Sequence, residues 1–390
     1  MLNNSAAYRI VIGGDFLPSQ NNIALFNEGN AKELYSDKLL GLFQQADFSI
    51  VNLEGALTDT QEKQEKVGPV LKAPVSTING IKGLGISAVA LANNHILDYG
   101  ERGYIDTIGC LESAGIAHVG SGKNIDEIKT YLSLQLGDKK VCVYNVSETF
   151  FNTPGKQIPG ANLYDEYIVC NELKELKKKH DYIIVIYHGG AEYFPYPTPM
   201  VRKRFHRMAD SGADFITAQH THCIGCQELY NNAYLLYGQG NFFFARQWTK
   251  KMTREGLIME ICFREGQTGV EINKYKIHVT DADVVRYSSN QDLSDFLERS
   301  DHIDDEEMIT AEYEKVKSAD IMVKYLSSFK GNYFGKNLML RCFPRIYKNQ
   351  IAKSYSKEQI LLNQTVVNQD RRQEDLQQVW NYIFKKEFDH

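Results

Sequence analysis

Six short apolar runs punctuate the first two-thirds of the chain: YRIVIGGD (8–15), FSIVNLEG (48–55), SAVALANNH (87–95), KKVCVYNVS (139–147), DYIIVIYHGG (181–190) and ADFITAQHTH (213–222). Runs of this length, rich in β-branched residues and closed by turn formers, read as strands buried on both faces. A half-exposed strand would alternate polar and apolar positions. Helical periodicity lies between several of them, over 31–46, 102–114, 165–179 and 199–212. The alternation predicts an α/β fold built on a layered sheet. Five of the six runs also share a chemical property. At their C-terminal ends stand Asp15, Glu54, Asn94 with His95, His188, and His220 with His222. Ligands of α/β proteins bind beyond the carboxyl ends of the strands. A fold that aligns these ends gathers carboxylates, an amide and imidazoles in one place.

Residues 255–262 and 269–279 read as two further strands that complete a first domain, expected over 1–285. From about 290 the sequence turns helical and charged, which predicts a helical extension over 286–390. Near its end Leu376, Val379, Trp380, Ile383 and Phe384 recur at helical spacing and form an apolar stripe. The stripe is expected to pack on the main domain. A homo-oligomer contact through these helices, or a lid, are the alternatives.

Composition narrows the partners. Hydrophobic residues make up 43% of the 390 and charged residues 24%, enough for a core without disulfides or a structural metal. The net charge of −5 gives no electrostatic pull toward nucleic acid or an anionic membrane. No run approaches the roughly 20 apolar residues of a membrane span. The opening MLNNSAAYRIVIGGD lacks the basic and apolar regions of a signal peptide, so the expectation is a soluble, cytoplasmic protein. The seven cysteines are odd in number and scattered, as reduced core thiols are.

That last point bears on AQHTHCIGC (218–226), which alone reads equally as a metal site, a redox pair or the end of a buried strand. Cys223 and Cys226 sit in no thioredoxin-like pattern and are expected to be incidental. His220 and His222 are two apart, so on a strand they would share a face. With the other run ends they make a set of Asp, Glu, Asn and His donors that needs no cysteine. Such a set suits divalent Mn, Zn or Fe. Two ions about 3.5–4 Å apart call for a bridging carboxylate, with oxygen or imidazole ligands for each. The pair acidifies a water, and a nearby imidazole protonates the leaving group.

The segments VIGGDFL, FSIVNLEGALT, ALANNHILDYGERG, VIYHGGAEY, SGADFITAQHTH and YGQGNFFF occur in this order. Together they resemble the CapA family of capsule (poly-γ-glutamate) synthesis proteins, over about residues 8–245. The resemblance implies a calcineurin-like metallophosphatase fold, a β-sandwich flanked by helices. It implies Asp15 and His222 on a first metal and Glu54 at the bridge. Asn94, His188 and His220 would hold a second metal. It makes His95 the leaving-group acid, oriented by Asp98, and gives Glu192 a supporting or substrate-binding place. Arg202, in RKRFHR (202–207), belongs either to a solvated helix face or to a carboxylate or phosphate of the substrate. Two departures stand out. Leu17 occupies the place of the histidine in the metallophosphatase Asp-x-His, and Glu54 is longer than the usual bridging Asp. The expectation is a metal-dependent hydrolase acting on a phosphoester or γ-glutamyl amide, in an anionic polymer or a small substrate. The alternative is a non-catalytic assembly or binding component of polymer synthesis or export, with a structural or vestigial metal site.

Overall fold

The computed structural model describes residues 7–316, apart from 19–20, 67–68, 149–151, 245–250 and 281–283. The apolar stripe at 376–384 lies outside the described residues. The principal strands in chain order are β1 (Ala7–Leu17), β2 (Phe48–Leu53), β3 (Ala88–Ala90), β4 (Ala117–Val119), β5 (Tyr131–Leu136), β6 (Lys139–Ser147), β7 (Tyr182–His188), β8 (Phe215–Gln219), β9 (Gln227–Tyr230), β10 (Ala233–Leu236), β11 (Asn241–Phe244), β12 (Glu255–Arg264), β13 (Val270–Val279) and β14 (Val285–Tyr287). One sheet has eight strands in the order β14-β13-β12-β1-β2-β3-β4, with β11 also pairing β1. The other has six, in the order β9-β10-β8-β7-β6-β5. Both are parallel at the centre. β1 to β4 run one way in the first sheet, and β6, β7, β8 and β10 run together in the second.

Side-chain alternation explains the layering. Ile10, Ile12, Ile50 and Ala90 of the larger sheet meet Val141, Val143, Ile184 and Ile186 of the smaller one in a shared core. Val11, Val51 and Val89 point the opposite way. They pack under α1 (Ile23–Glu28), α2 (Ala31–Leu34), α3 (Asp37–Gln44), α4 (Ile78–Leu84) and α5 (Gly100–Ala114), through Phe26, Leu34, Phe43, Ile81 and Leu111. On the far side α6 (Glu166–Lys177) lies against β7 and α7 (Pro199–Asp210) against β8. The result is a mixed α/β fold, a β-sandwich flanked by helices. Burial on both faces is why the runs are apolar throughout: all six residues of β2 are buried.

Two predicted elements are shorter than the sequence suggests. The helix expected over 31–46 breaks between α2 and α3. There Tyr35 and Ser36 are extended, Tyr35 bridges Val285 and the Ser36 amide donates to the Val285 carbonyl at 3.2 Å. The run 87–95 is strand only over β3. Beyond it the amides of Leu91 and Ala92 donate to Asn145 Oδ1 on β6, at 3.1 and 2.8 Å. Asn145 Nδ2 in turn donates to the Ile186 carbonyl of β7 at 2.9 Å. This buried asparagine ties the strand ends of the two sheets together.

By compactness the chain divides into Met1–Asp305 and Glu306–His390. The first unit includes α8 (Ser294–Asp301), and the second begins with α9 (Glu306–Val316). Among the described residues no helix is long and apolar enough to cross a membrane.

Candidate metal centre

The centre begins with an irregularity in β1. Its register against β2 shifts between Ile12 and Asp15, across Gly13 and Gly14. Through Ile12 the strand pairs antiparallel with β12, and from Asp15 onward it pairs parallel with β11. A Cβ on Gly14 would stand 2.1 Å from the Gly240 carbonyl oxygen, so only glycine allows this crossing. Such bulges re-aim a side chain. Here the side chain is Asp15, which is fully buried. Its Oδ1 accepts from Asn52 Nδ2 at 2.8 Å and its Oδ2 from the His220 amide at 2.9 Å.

Glu54 follows β2 and is also fully buried, yet neither carboxylate oxygen accepts a hydrogen bond. Its Oε1 instead faces three imidazoles, with Nε2 of His188 at 3.6 Å and Nε2 of His95 and His222 each at 3.9 Å. Burial, and then the charge of Asp15, push its carboxyl well above the ordinary 4.5. A buried carboxylate without donors is costly unless a cation satisfies it.

His188 closes β7 with no exposure. Its Nδ1 lies 3.1 Å from Asn52 Nδ2 and its Nε2 2.9 Å from Asn94 Oδ1. Burial holds His188 and His220 well below the ordinary 6.5, helped by the neighbouring histidines. Both are therefore neutral, the form that binds metal. His222 differs. Burial pulls it down, but Glu54 and Asp15 outweigh that and raise it to about 10. Its Nδ1 is 2.9 Å from Asn241 Oδ1 and 3.3 Å from Asp15 Oδ2.

His220 and His222 do not share a strand face, because β8 ends at Gln219. Both have left-handed backbone, with φ of 85° and 53°. Non-glycine residues there cost on the order of 1–3 kcal/mol. The turn brings the two rings to a centroid separation of 5.9 Å.

Two sets of donors result, Glu54 with His188 and His220, and Asp15 with Glu54 and His222. Within each set the donor atoms lie within 4.8 Å of one another, and Glu54 belongs to both. These groups fit a pair of divalent cations: three imidazoles and two buried carboxylates, of which Glu54 is placed to serve both sets. A third set, Glu192 with His220 and His222, lies at the exposed edge. Asn94 reaches the first set through its contact with His188. His95 stands beside Glu54, and its Nδ1 is 2.6 Å from Asp98 Oδ2.

Arg202 is engaged within the protein. Its guanidinium donates to Glu228 at 2.8 Å and to Asp304, and its side chain is only 17% exposed. Glu228 also accepts from Tyr237 Oη at 2.7 Å and contacts His206 at 3.0 Å. On this helix Arg202 is thus tied to a partly buried cluster around Glu228. Cys223 and Cys226 are free, buried thiols, both pushed up to about 12 by burial.

Three residues of the centre were not foreseen. Asn52 links Asp15 to His188. Asn93 donates to Asn52 Oδ1 at 3.0 Å and accepts from the His95 amide at 3.0 Å. Lys66, 3% exposed, bonds Asp98 Oδ1 and the Asn94 carbonyl. An asparagine inside the apolar run of β2 was a readable signal, since a buried amide needs partners. Lys66 offered none, because QEKQEK reads as solvated loop.

The family described as bacterial capsule synthesis protein PGA_cap matches residues 9–246. The PGA biosynthesis protein CapA of Bacillus subtilis (strain 168) is 29% identical over 257 residues, 64% of this chain and 67% of its own length. The capsule biosynthesis protein CapA of Bacillus anthracis is 28% identical over 206 residues, 51% of this chain and 50% of its own. The match thus spans about half to two-thirds of these relatives. Among solved structures, a putative 5'-nucleotidase from Staphylococcus aureus aligns with a TM-score of 0.46 at 15% identity, covering 77% of this chain and 58% of that one. A phosphatase from Mycoplasma pneumoniae aligns with a TM-score of 0.44 at 14% identity, covering 70% and 94%.

Proposed function

Because the chain belongs to the bacterial capsule synthesis family PGA_cap, the CapA family, we propose that it is a divalent-metal-dependent hydrolase. It acts in the synthesis, release or trimming of an anionic cell-surface polymer. The observation that carries this reading is Glu54, a buried carboxylate with no hydrogen-bond donor that is common to two donor sets. When bound, a pair of Mn, Zn or Fe ions would supply a nucleophilic water near neutral pH and offset charge on the reacting group. Asp15 and His222 would hold one ion, His188, His220 and Asn94 the other, with Glu54 available to both. His95 moves the proton to the leaving group. Asp98 fixes its Nδ1, so that Nε2 faces the Glu54 side of the centre, where the proton is needed.

This donor set serves a phosphoester or an amide, since both pass through a developing oxyanion. The name of the Bacillus subtilis relative, a PGA biosynthesis protein, supports a γ-glutamyl polymer. The test is bound-metal stoichiometry in wild type, Asp15→Ala and His188→Ala, with turnover of a phosphoester and of a γ-glutamyl peptide. Two ions, each lost with its own ligand, and turnover of either substrate are expected. A wild type without metal sinks the reading. So does a loaded protein that hydrolyses neither substrate and a His95→Ala variant without effect in the cell.

One observation favours the second reading, a non-catalytic component with a structural metal site. Leu17, where metallophosphatases place a histidine, is 7% exposed and packed in the core. β1 therefore offers the first position no donor beyond Asp15.

A further inference from the structure

The missing β1 donor leaves the first position short of protein ligands, and one other group reaches it. The geometry points to Glu192 as a metal ligand on the solvent side of the centre, a carboxylate that closes what Leu17 leaves open. This rests on the metal-centre reading above. Glu192 Oε1 is 3.9 Å from His220 Nε2, and its carboxylate joins His220 and His222 in a donor set whose atoms lie within 4.8 Å of one another, as in the two sets that contain Glu54. His220 belongs to one Glu54 set and His222 to the other. Glu192 thus stands over both positions, as Glu54 does from within. Its side chain is 47% exposed, whereas Glu54 is fully buried.

The loop that carries Glu192 is fastened to the loop it serves. The Gly189 amide donates to the Gln219 carbonyl at 3.1 Å, and the Tyr193 amide donates to the Thr221 carbonyl at 2.8 Å. The Tyr193 ring stacks on His222 at a centroid separation of 6.0 Å. Tyr193 takes a left-handed φ of 61° and Gly190 one of 108°, so the backbone on both sides of Glu192 is specifically bent. A surface carboxylate with no task would not need such an anchor. An exposed ligand over two cations is also the one that an anionic substrate displaces on entering.

The experiment is titration of metal-free protein with manganese alone, by calorimetry, in wild type and Glu192→Gln, at low salt and in 1 M potassium chloride. Thermal melts of the metal-free forms check that both are folded. A ligand role predicts that one of the two affinities falls at least about tenfold in Glu192→Gln, and that the loss persists in high salt. A loss that vanishes in 1 M salt overturns the proposal, because there the Debye length is about 3 Å and only a remote charge is screened. Two unchanged affinities also overturn it, while leaving the metal centre intact. A wild type that binds no manganese removes the centre itself, and Glu192 with it.

Discussion

Nδ1 of His95 lies 2.6 Å from Oδ2 of Asp98, three residues further along the chain. The same carboxylate accepts from Lys66 and from the Leu71 amide, so its position is over-determined. Burial lowers the proton affinity of His95, and Asp98 is the main influence opposing it. Asp98→Asn should cut kcat by about 10²–10⁴-fold, the usual worth of a placed acid or base. Metal stoichiometry should not change. The pH–rate limb set by His95 should move to lower pH, because the influence that raises its proton affinity is gone. Turnover within twofold of wild type would show that His95 is not the proton carrier.

Glu54→Gln should separate stability from metal binding. Burial and Asp15 make the Glu54 charge costly to the metal-free fold, and His222 offsets only part of that cost. A neutral isostere should raise metal-free stability on the order of 1 kcal/mol in urea unfolding and reduce bound metal to one ion or none. A variant that still binds two ions would show that Glu54 does not bridge.

Metal should stabilise the protein more as pH rises from 5 to 8. Glu54 has a folded pKa above its ordinary 4.5, so above that pH its ionisation progressively destabilises the metal-free fold. His222, raised to about 10, stabilises the metal-free fold fully below 6.5, and that contribution is lost as pH climbs through 10. A cation favours the deprotonated form of both groups and so competes with their protons. The gain in melting temperature with saturating manganese or zinc, measured at each pH, checks this. A gain that is flat or shrinks with pH contradicts the assigned ligands.

The parallel core was legible because strands buried on both faces cannot hide their apolar runs. β6 matches its run at both ends, Lys139–Ser147. The candidate donors at run ends were legible because a polar residue closing such a run has few reasons to be there. What escaped depended on contacts distant in sequence. The Tyr35–Ser36 break exists only because β14, some 250 residues later, pairs there. The convergence of His220 and His222 is a property of left-handed φ, which periodicity does not carry. Lys66 is drawn from a polar stretch by Asp98, a partner no local pattern announces.

Arg202 supplies a test of the structure against the sequence. Its guanidinium is held by Glu228 and Asp304, and hydrogen bonding to Glu228 is the largest influence raising its pKa. Burial disfavours the Glu228 charge, but Arg202, Tyr237 and His206 together keep that carboxyl below its ordinary 4.5. A group depressed in this way adds stability above pH 4.5 that is lost as pH falls through its folded pKa. Arg202→Met leaves Glu228 mostly buried with fewer donors. It should destabilise the protein by about 1–3 kcal/mol at pH 7, and the penalty should narrow below pH 4.5. KM and metal stoichiometry should be unaffected. A rise in KM with unchanged stability would instead return Arg202 to the substrate.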